Sequence, residues 1–91
     1  MKLRWTSRGL ADLARLHEFL HPTNPQAAAK TVQSLVLAAG RIAEHPRLGE
    51  KLEQYAPREV RRILAGPYEM RYEIRDEVIY VLRLWHGREN R

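Results

Sequence analysis

The residues best equipped for chemistry in this chain are arginines, and they gather in its second half. Arg61 and Arg62 stand side by side, Arg71 follows on the next segment, and Arg83, His86 and Arg88 close the last one. A guanidinium is planar and pairs with a carboxylate or phosphate through two parallel N–H bonds, which a lysine ammonium does not do. Of the sixteen lysines and arginines, only Lys2, Lys30 and Lys51 are lysine; the other thirteen are arginine. With a net charge of +5, this points to an acidic partner, either nucleic acid or an acidic protein segment. A solvated basic surface encoded by an arginine-favouring genome gives the same composition. Arg61 and Arg62 could grip phosphate, or one could pair with Glu59, Glu69 or Glu73 while the other meets solvent. Trp85 could stack on a base or close a core. His17, His21 and His45 have no metal-ligand spacing, so neither a metal nor a cofactor is expected.

Ninety-one residues make one domain, 1–91, with one modest core. There is no cysteine, which excludes a disulfide framework and a thiolate metal site. No apolar run approaches the ~18 residues of a membrane span, and no signal-peptide pattern opens the chain. A soluble cytoplasmic protein with no membrane partner is expected.

These side chains need elements to position them. In Tyr68–Arg75, Tyr68, Met70, Tyr72 and Ile74 alternate with Glu69, Arg71, Glu73 and Arg75, the period of a half-buried strand. Asp76-Glu77 makes a tight turn. Val78–Trp85 is apolar on both faces, as a central strand is, with Val78, Tyr80, Leu82 and Leu84 on one face and Ile79, Val81, Arg83 and Trp85 on the other. Earlier, Lys2–Trp5 reads as a short strand. Leu10, Leu13, Leu16, Phe19 and Leu20 recur at helical spacing from about Ser7 to His21, with Thr6 or Ser7 as cap and Asp12 near the positive helix end. Pro22 stops this helix. Asn24 and Pro25 start a second, running to about His45 with Val32, Leu35, Val36, Ala39, Ile42 and Ala43 on its stripe. Residues 47–57 form a polar connection without a period, and 58–65 is a further strand, turned at Gly66-Pro67. The expected fold is α+β, in the order β-α-α-β-β-β. A helix hairpin packs on one face of a small, largely antiparallel four-stranded sheet, and the other face is left partly open.

This order resembles the RelE/ParE superfamily of toxin–antitoxin toxins, and so do the segments LRWTSRGLADLARLHEFL and REVRRILAGPYEMRYEIRDEVIYVLRLWHGR. The most specific parts are Val60-Arg61, Gly66-Pro67-Tyr68, Arg71-Tyr72 and the ending Leu82-Arg83-x-x-His86-Gly87-Arg88. The resemblance covers nearly the whole chain. It implies a small cytoplasmic bacterial toxin neutralised by a cognate antitoxin, whose disordered acidic C-terminal segment orders on binding, in a possible toxin–antitoxin hetero-oligomer. Two activities share the fold: ParE-type members inhibit DNA gyrase, and RelE-type members cut mRNA in the ribosomal A site.

RNA cleavage needs a base for the 2′-hydroxyl, cations for the phosphorane and an acid for the leaving oxygen. By resemblance these would be Arg61, Arg71, Arg83 and His86. The departures are that no lysine lies in the last three strands, no tyrosine follows Tyr80, and only five residues follow His86. The favoured expectation is therefore a ParE-like toxin that binds gyrase and has no catalytic residue of its own. The alternative is a RelE-like nuclease that works on ribosome and mRNA. Residues expected to meet partners are Arg15, Arg41, Arg61, Arg71, Arg83, Trp85 and Arg88.

Overall fold

Thr6 and Asn24 decide where the two helices begin. A computed structural model of the chain describes residues 1–89. Strand β1 (Lys2–Trp5) leads into helix α1 (Ser7–Leu20), and helix α2 (Pro25–Glu44) follows. Then come β2 (Glu50–Lys51), one 3-10 turn (Glu53–Tyr55), β3 (Glu59–Ala65), β4 (Tyr68–Arg75) and β5 (Val78–His86). Thr6 Oγ1 accepts from the Gly9 amide at 3.0 Å and donates to the Val81 carbonyl at 2.9 Å, so the cap of α1 also ties that helix to β5. A Cβ at Gly9 would lie 2.6 Å from the Val81 oxygen; only glycine permits this approach. Asn24 Oδ1 accepts from the Ala27 amide at 3.0 Å, and Pro25 takes the first helical position.

The sheet order is β1-β5-β4-β3-β2. β4 and β5 are antiparallel neighbours, as the turn at Asp76-Glu77 implies, and β1 closes the sheet beside β5, which it joins in parallel. Asp76 and Glu77 form the turn between β4 and β5 with φ of 52° and 65°. The expected four-stranded, largely antiparallel sheet needs correction: it has five strands and is mixed. The extra strand lies in the polar connection, where Glu50 and Lys51 pair antiparallel with Arg62 and Arg61. Two residues are too few to show a period, so alternation had nothing to reveal.

The core lies between the hairpin and one sheet face. Leu16, Leu35, Ala38, Ala39 and Ile42 pack against Ile63, Met70, Tyr72, Ile74, Ile79, Val81 and Leu84. Fully burying one large apolar side chain of this kind is worth roughly 1.5–3 kcal/mol. The apolar stripes are narrower than their spacing implies, because Leu10, Phe19 and Val36 point outward. A second correction concerns β5. Its pairing with β4 runs regularly from Arg75–Val78 to Tyr72–Val81, then skips Leu82 so that Arg71 meets Arg83. This bulge reverses the phase of the strand. Leu84 thereby joins Ile79 and Val81 in the core, and Arg83 and Trp85 turn to the open face.

Candidate functional site

The register aligns Arg62, Arg71 and Arg83 across the open face, on β3, β4 and β5 in turn. Like charges on adjacent strands destabilise a sheet unless carboxylates intervene. Here they intervene from beneath. Asp12, expected near the α1 dipole, is instead buried against β5: it accepts from Arg83 Nε at 2.7 Å, Arg83 Nη2 at 3.3 Å and the Leu84 amide at 2.9 Å. Arg71 Nε donates to Glu69 at 2.8 Å, and Arg58 grips Glu73 with two bonds of 3.1 and 2.9 Å. Arg62 donates to Glu50 at 2.8 Å and lies 3.5 Å from Glu69. The Asp12, Glu69 and Glu73 side chains are 7%, 5% and 5% exposed, against 38% for Arg83 and 53% for Arg58. At Asp12, Glu69 and Glu73 the anion lies underneath and the cation outside it; Glu50, at the edge, is more exposed than its partner Arg62.

Burial alone would raise the Asp12 pKa, but the bonds from Arg83 and the Leu84 amide outweigh it and hold the carboxyl below its ordinary value. The Arg58 hydrogen bond does the same for Glu73, against burial. The Asp12 and Glu73 carboxylates in turn raise the Arg83 and Arg58 guanidinium values.

Above this layer lies a cleft of about 510 Å³. Arg8, Arg58, Arg71 and Arg83 line it together with Tyr55, Val60, Leu82 and Trp85. The Arg71 guanidinium lies 4.8 Å from the Trp85 ring centroid and 5.9 Å from that of Tyr55, and its Nη1 donates to the Tyr55 hydroxyl at 2.8 Å. Arg83 approaches the Trp85 ring at 5.7 Å, and Arg58 approaches Tyr55 at 5.9 Å. No histidine or lysine lines the cleft among the described residues. The arrangement can hold oxyanions.

Arg61 and His86, expected with Arg71 and Arg83, lie on the other face. Arg61 is paired across from Tyr72; it donates to Glu59 at 2.9 Å and to the Gly49 carbonyl at 2.8 Å. Of the Arg61-Arg62 pair, the register makes Arg62 the neighbour of the cleft. Tyr72, Arg61 and Arg47 organise the loop into β2. The Tyr72 hydroxyl accepts from the Gly49 amide at 2.9 Å and donates to the Pro46 carbonyl at 2.8 Å, while Arg47 grips Glu59 with two 3.0 Å bonds. His86 Nδ1 accepts from the Arg88 amide at 3.0 Å, and its ring meets Tyr68 edge-on at 5.3 Å.

His86 lines a second hollow of about 590 Å³ with Leu16, Phe19, Leu20 and Tyr68, rimmed by Arg15, Arg88 and Glu89. Arg15 pairs with Glu89 and Asp12 and donates to the Leu84 carbonyl at 3.1 Å. Arg41 stands by a third, open hollow of about 750 Å³ with Lys30, Leu37 and Tyr68. The seven expected partner-binding residues thus divide between surfaces: Arg71, Arg83 and Trp85 in the cleft, Arg15, Arg88 and Arg41 by the hollows beside Tyr68, and Arg61 at the β2 loop. Sequence reasoning missed Arg8, Tyr55 and Arg58 as cleft residues and Asp12 as their support. Arg8 and Asp12 sit one helical turn apart on α1, a spacing visible in the sequence, but nothing there linked them to β5.

Residues 3–91 match the family of the ParE toxin of the type II toxin-antitoxin system parDE. The chain is 33% identical over 83 residues to "Toxin RelE2" of Caulobacter vibrioides, covering 91% of each chain. It is 30% identical over 89 residues to "Putative toxin Y4kP" of Sinorhizobium fredii, covering 97% of this chain and 90% of that one. Among solved structures, the chromosomal ParDE system of P. aeruginosa shares the fold with a TM-score of 0.79 at 24% identity, over 94% of this chain and 95% of that one. The RelBE2 toxin–antitoxin complex of Mycobacterium tuberculosis gives a TM-score of 0.61 at 28% identity, over 93% and 95%. With a family match across nearly its whole length and two toxin relatives at 30% identity or more, this chain belongs to the ParE toxin family and is a RelE/ParE superfamily toxin of the type II toxin–antitoxin class.

Proposed function

We propose that this toxin acts by binding and inhibiting DNA gyrase rather than by chemistry of its own, and that a cognate antitoxin neutralises it. The observation that supports this reading is the division of Arg61, Arg71, Arg83 and His86 between two sheet faces. A nuclease needs its acid, base and phosphate-binding groups around one scissile bond. In the cleft, Arg71 and Arg83 have no histidine or lysine beside them among the described residues. The antitoxin reading draws on the RelBE2 neighbour, a toxin–antitoxin complex, and on the apolar hollow by Phe19 and Tyr68 with its Arg15 and Arg88 rim. That surface suits an acidic, amphipathic segment that orders on binding.

The runner-up is a ribosome-dependent endoribonuclease. It is favoured by the name of the 33% identical relative, Toxin RelE2, and by the pairing of Arg71 with Arg83. Purified toxin added separately to gyrase supercoiling and ribosome–mRNA cleavage assays separates the two. Inhibited supercoiling is expected, unchanged by His86→Ala, with no cleavage. Loss of a positioned acid–base group commonly costs ~10²–10⁴-fold in rate. Cleavage in the A site that disappears with His86→Ala overturns the gyrase reading.

A further inference from the structure

Arg8 is the cleft arginine with no hydrogen bond or ion pair among the described residues. Its neighbours Arg58 and Arg83 are held from behind, each by Nε and Nη2 on a buried carboxylate, which leaves Nη1 of both for a further acceptor. Side chains already fixed in this way lose little freedom when a ligand arrives. The cleft is therefore a pre-organised seat for oxyanions. The aromatic rings decide which kind. Proteins that seat single-stranded nucleic acid offer open ring faces on which bases stack. Here Trp85 is only 7% exposed, and Arg71 and Arg83 lie against its ring at 4.8 and 5.7 Å. The positions a base would need are filled by the protein's own guanidinium groups.

We propose that this cleft is the surface that meets the target, and that it takes an acidic segment of the target protein whose carboxylates pair with Arg8 and the outward N–H groups of Arg58 and Arg83. The proposal rests on the gyrase-binding reading above and adds to it the contact face. It also separates the target face from the hollows beside Tyr68, which lie across the sheet.

Arg8→Glu is the direct test, since no partner among the described residues is orphaned by it. Purified wild type, Arg8→Glu, Arg8→Ala and the equal-charge control Lys51→Glu are compared for affinity to purified gyrase, with circular dichroism and antitoxin binding as checks of the fold. Arg8→Glu is expected to weaken gyrase binding about tenfold or more, chiefly through the association rate. Arg8→Ala should lose less, and Lys51→Glu and antitoxin binding should not change. Wild-type gyrase affinity in a folded Arg8→Glu variant overturns the contact face and leaves the gyrase reading standing. If wild type itself does not bind gyrase, the gyrase reading falls and this proposal with it. If the wild type instead binds a single-stranded RNA oligonucleotide and Arg8→Glu weakens that binding, the seat is a phosphate site and the acidic-segment proposal is overturned.

Discussion

One sheet carries two faces that are buried by opposite means. Toward the helices, Met70, Tyr72, Ile79, Val81 and Leu84 are sealed by Leu35, Ala38, Ala39 and Ile42. On the other side Glu69 and Glu73 are 4% exposed, almost as deep, yet what lies against them is Arg58, Arg62 and Arg71. The first face is held by removal of apolar area from water. The second depends on paired charge, which excludes water only while the carboxylates stay ionised and the arginine stems lie flat. The contrast teaches that burial depth says little about what a substitution will cost; the kind of neighbour decides.

The largest effect should come from the apolar face. Leu35→Ala removes a fully buried side chain from the centre of the hairpin and is expected to cost about 3 kcal/mol, read as a lower urea midpoint at unchanged slope. A loss below 1 kcal/mol would mean that the hairpin closes over the gap, and that this face is far softer than its packing implies.

Asp12→Ala should come next. It strands the Leu84 amide and leaves Arg83 without its anchor, and hydrogen bonds to charged groups of this kind are worth about 1.5–3 kcal/mol. Since Arg83 stays partly in solvent, the lower end, about 2 kcal/mol, is expected. The same carboxylates give this face a pH dependence. Asp12 and Glu73 have folded-state values below their unfolded ones. Their contribution is therefore fully present above the unfolded carboxylate range, near pH 4, and is lost as pH falls through the depressed folded values. Urea midpoints for wild type should fall steeply below about pH 4, and those of Asp12→Ala should fall less. Equal acid sensitivity in the two proteins would show that Asp12 does not set it.

Asp12 also marks where the sequence stops being readable. Element types and most boundaries follow from local signals: the alternation of Tyr68–Arg75, the Asp76-Glu77 turn, and the caps at Thr6 and Asn24. The site depends on register, which is a relation between strands. A single skipped residue at Leu82 moves Leu84 into the core and puts Arg83 opposite Arg71, and no pattern within β5 announces it. The choice between Arg61 and Arg62 is equally non-local, because it is fixed by the pairing of Arg62 with Arg71. Tyr55 was hidden for another reason: it lies in an aperiodic connection that folds back over the sheet through a single 3-10 turn.

A smaller effect is expected from a polar anchor on the helix side, the Tyr72 hydroxyl. Tyr72→Phe deletes a hydroxyl that bridges the Gly49 amide and the Pro46 carbonyl, while the ring keeps its place in the core. A loss of about 1 kcal/mol is expected, near that of a single neutral hydrogen bond. Hydrogen exchange should quicken first in the loop into β2. A loss equal to that of Leu35→Ala would show that the loop and the core fold as one unit.

The smallest effect should come from Glu50→Gln, and it probes the open face where its logic ends. Glu50 accepts from Arg62 at 2.8 Å, a shorter bond than several made by the buried carboxylates, yet its side chain is 63% exposed. Geometry alone would rank this pair beside Arg83–Asp12. Solvation ranks it far lower, because water screens the attraction and satisfies either partner once the bond is gone, so exposed pairs are worth about 0.2–1 kcal/mol. Arg62 also lies 3.5 Å from the buried Glu69 and keeps that neighbour in the variant. The expected loss is under about 0.5 kcal/mol, shrinking with added salt. A loss approaching that of Asp12→Ala would mean that the four carboxylates act as one network, in which even the outermost member holds the arginine row in place. A double-mutant cycle of Glu50→Gln with Asp12→Ala decides between these, since independent sites give additive losses and a shared network does not.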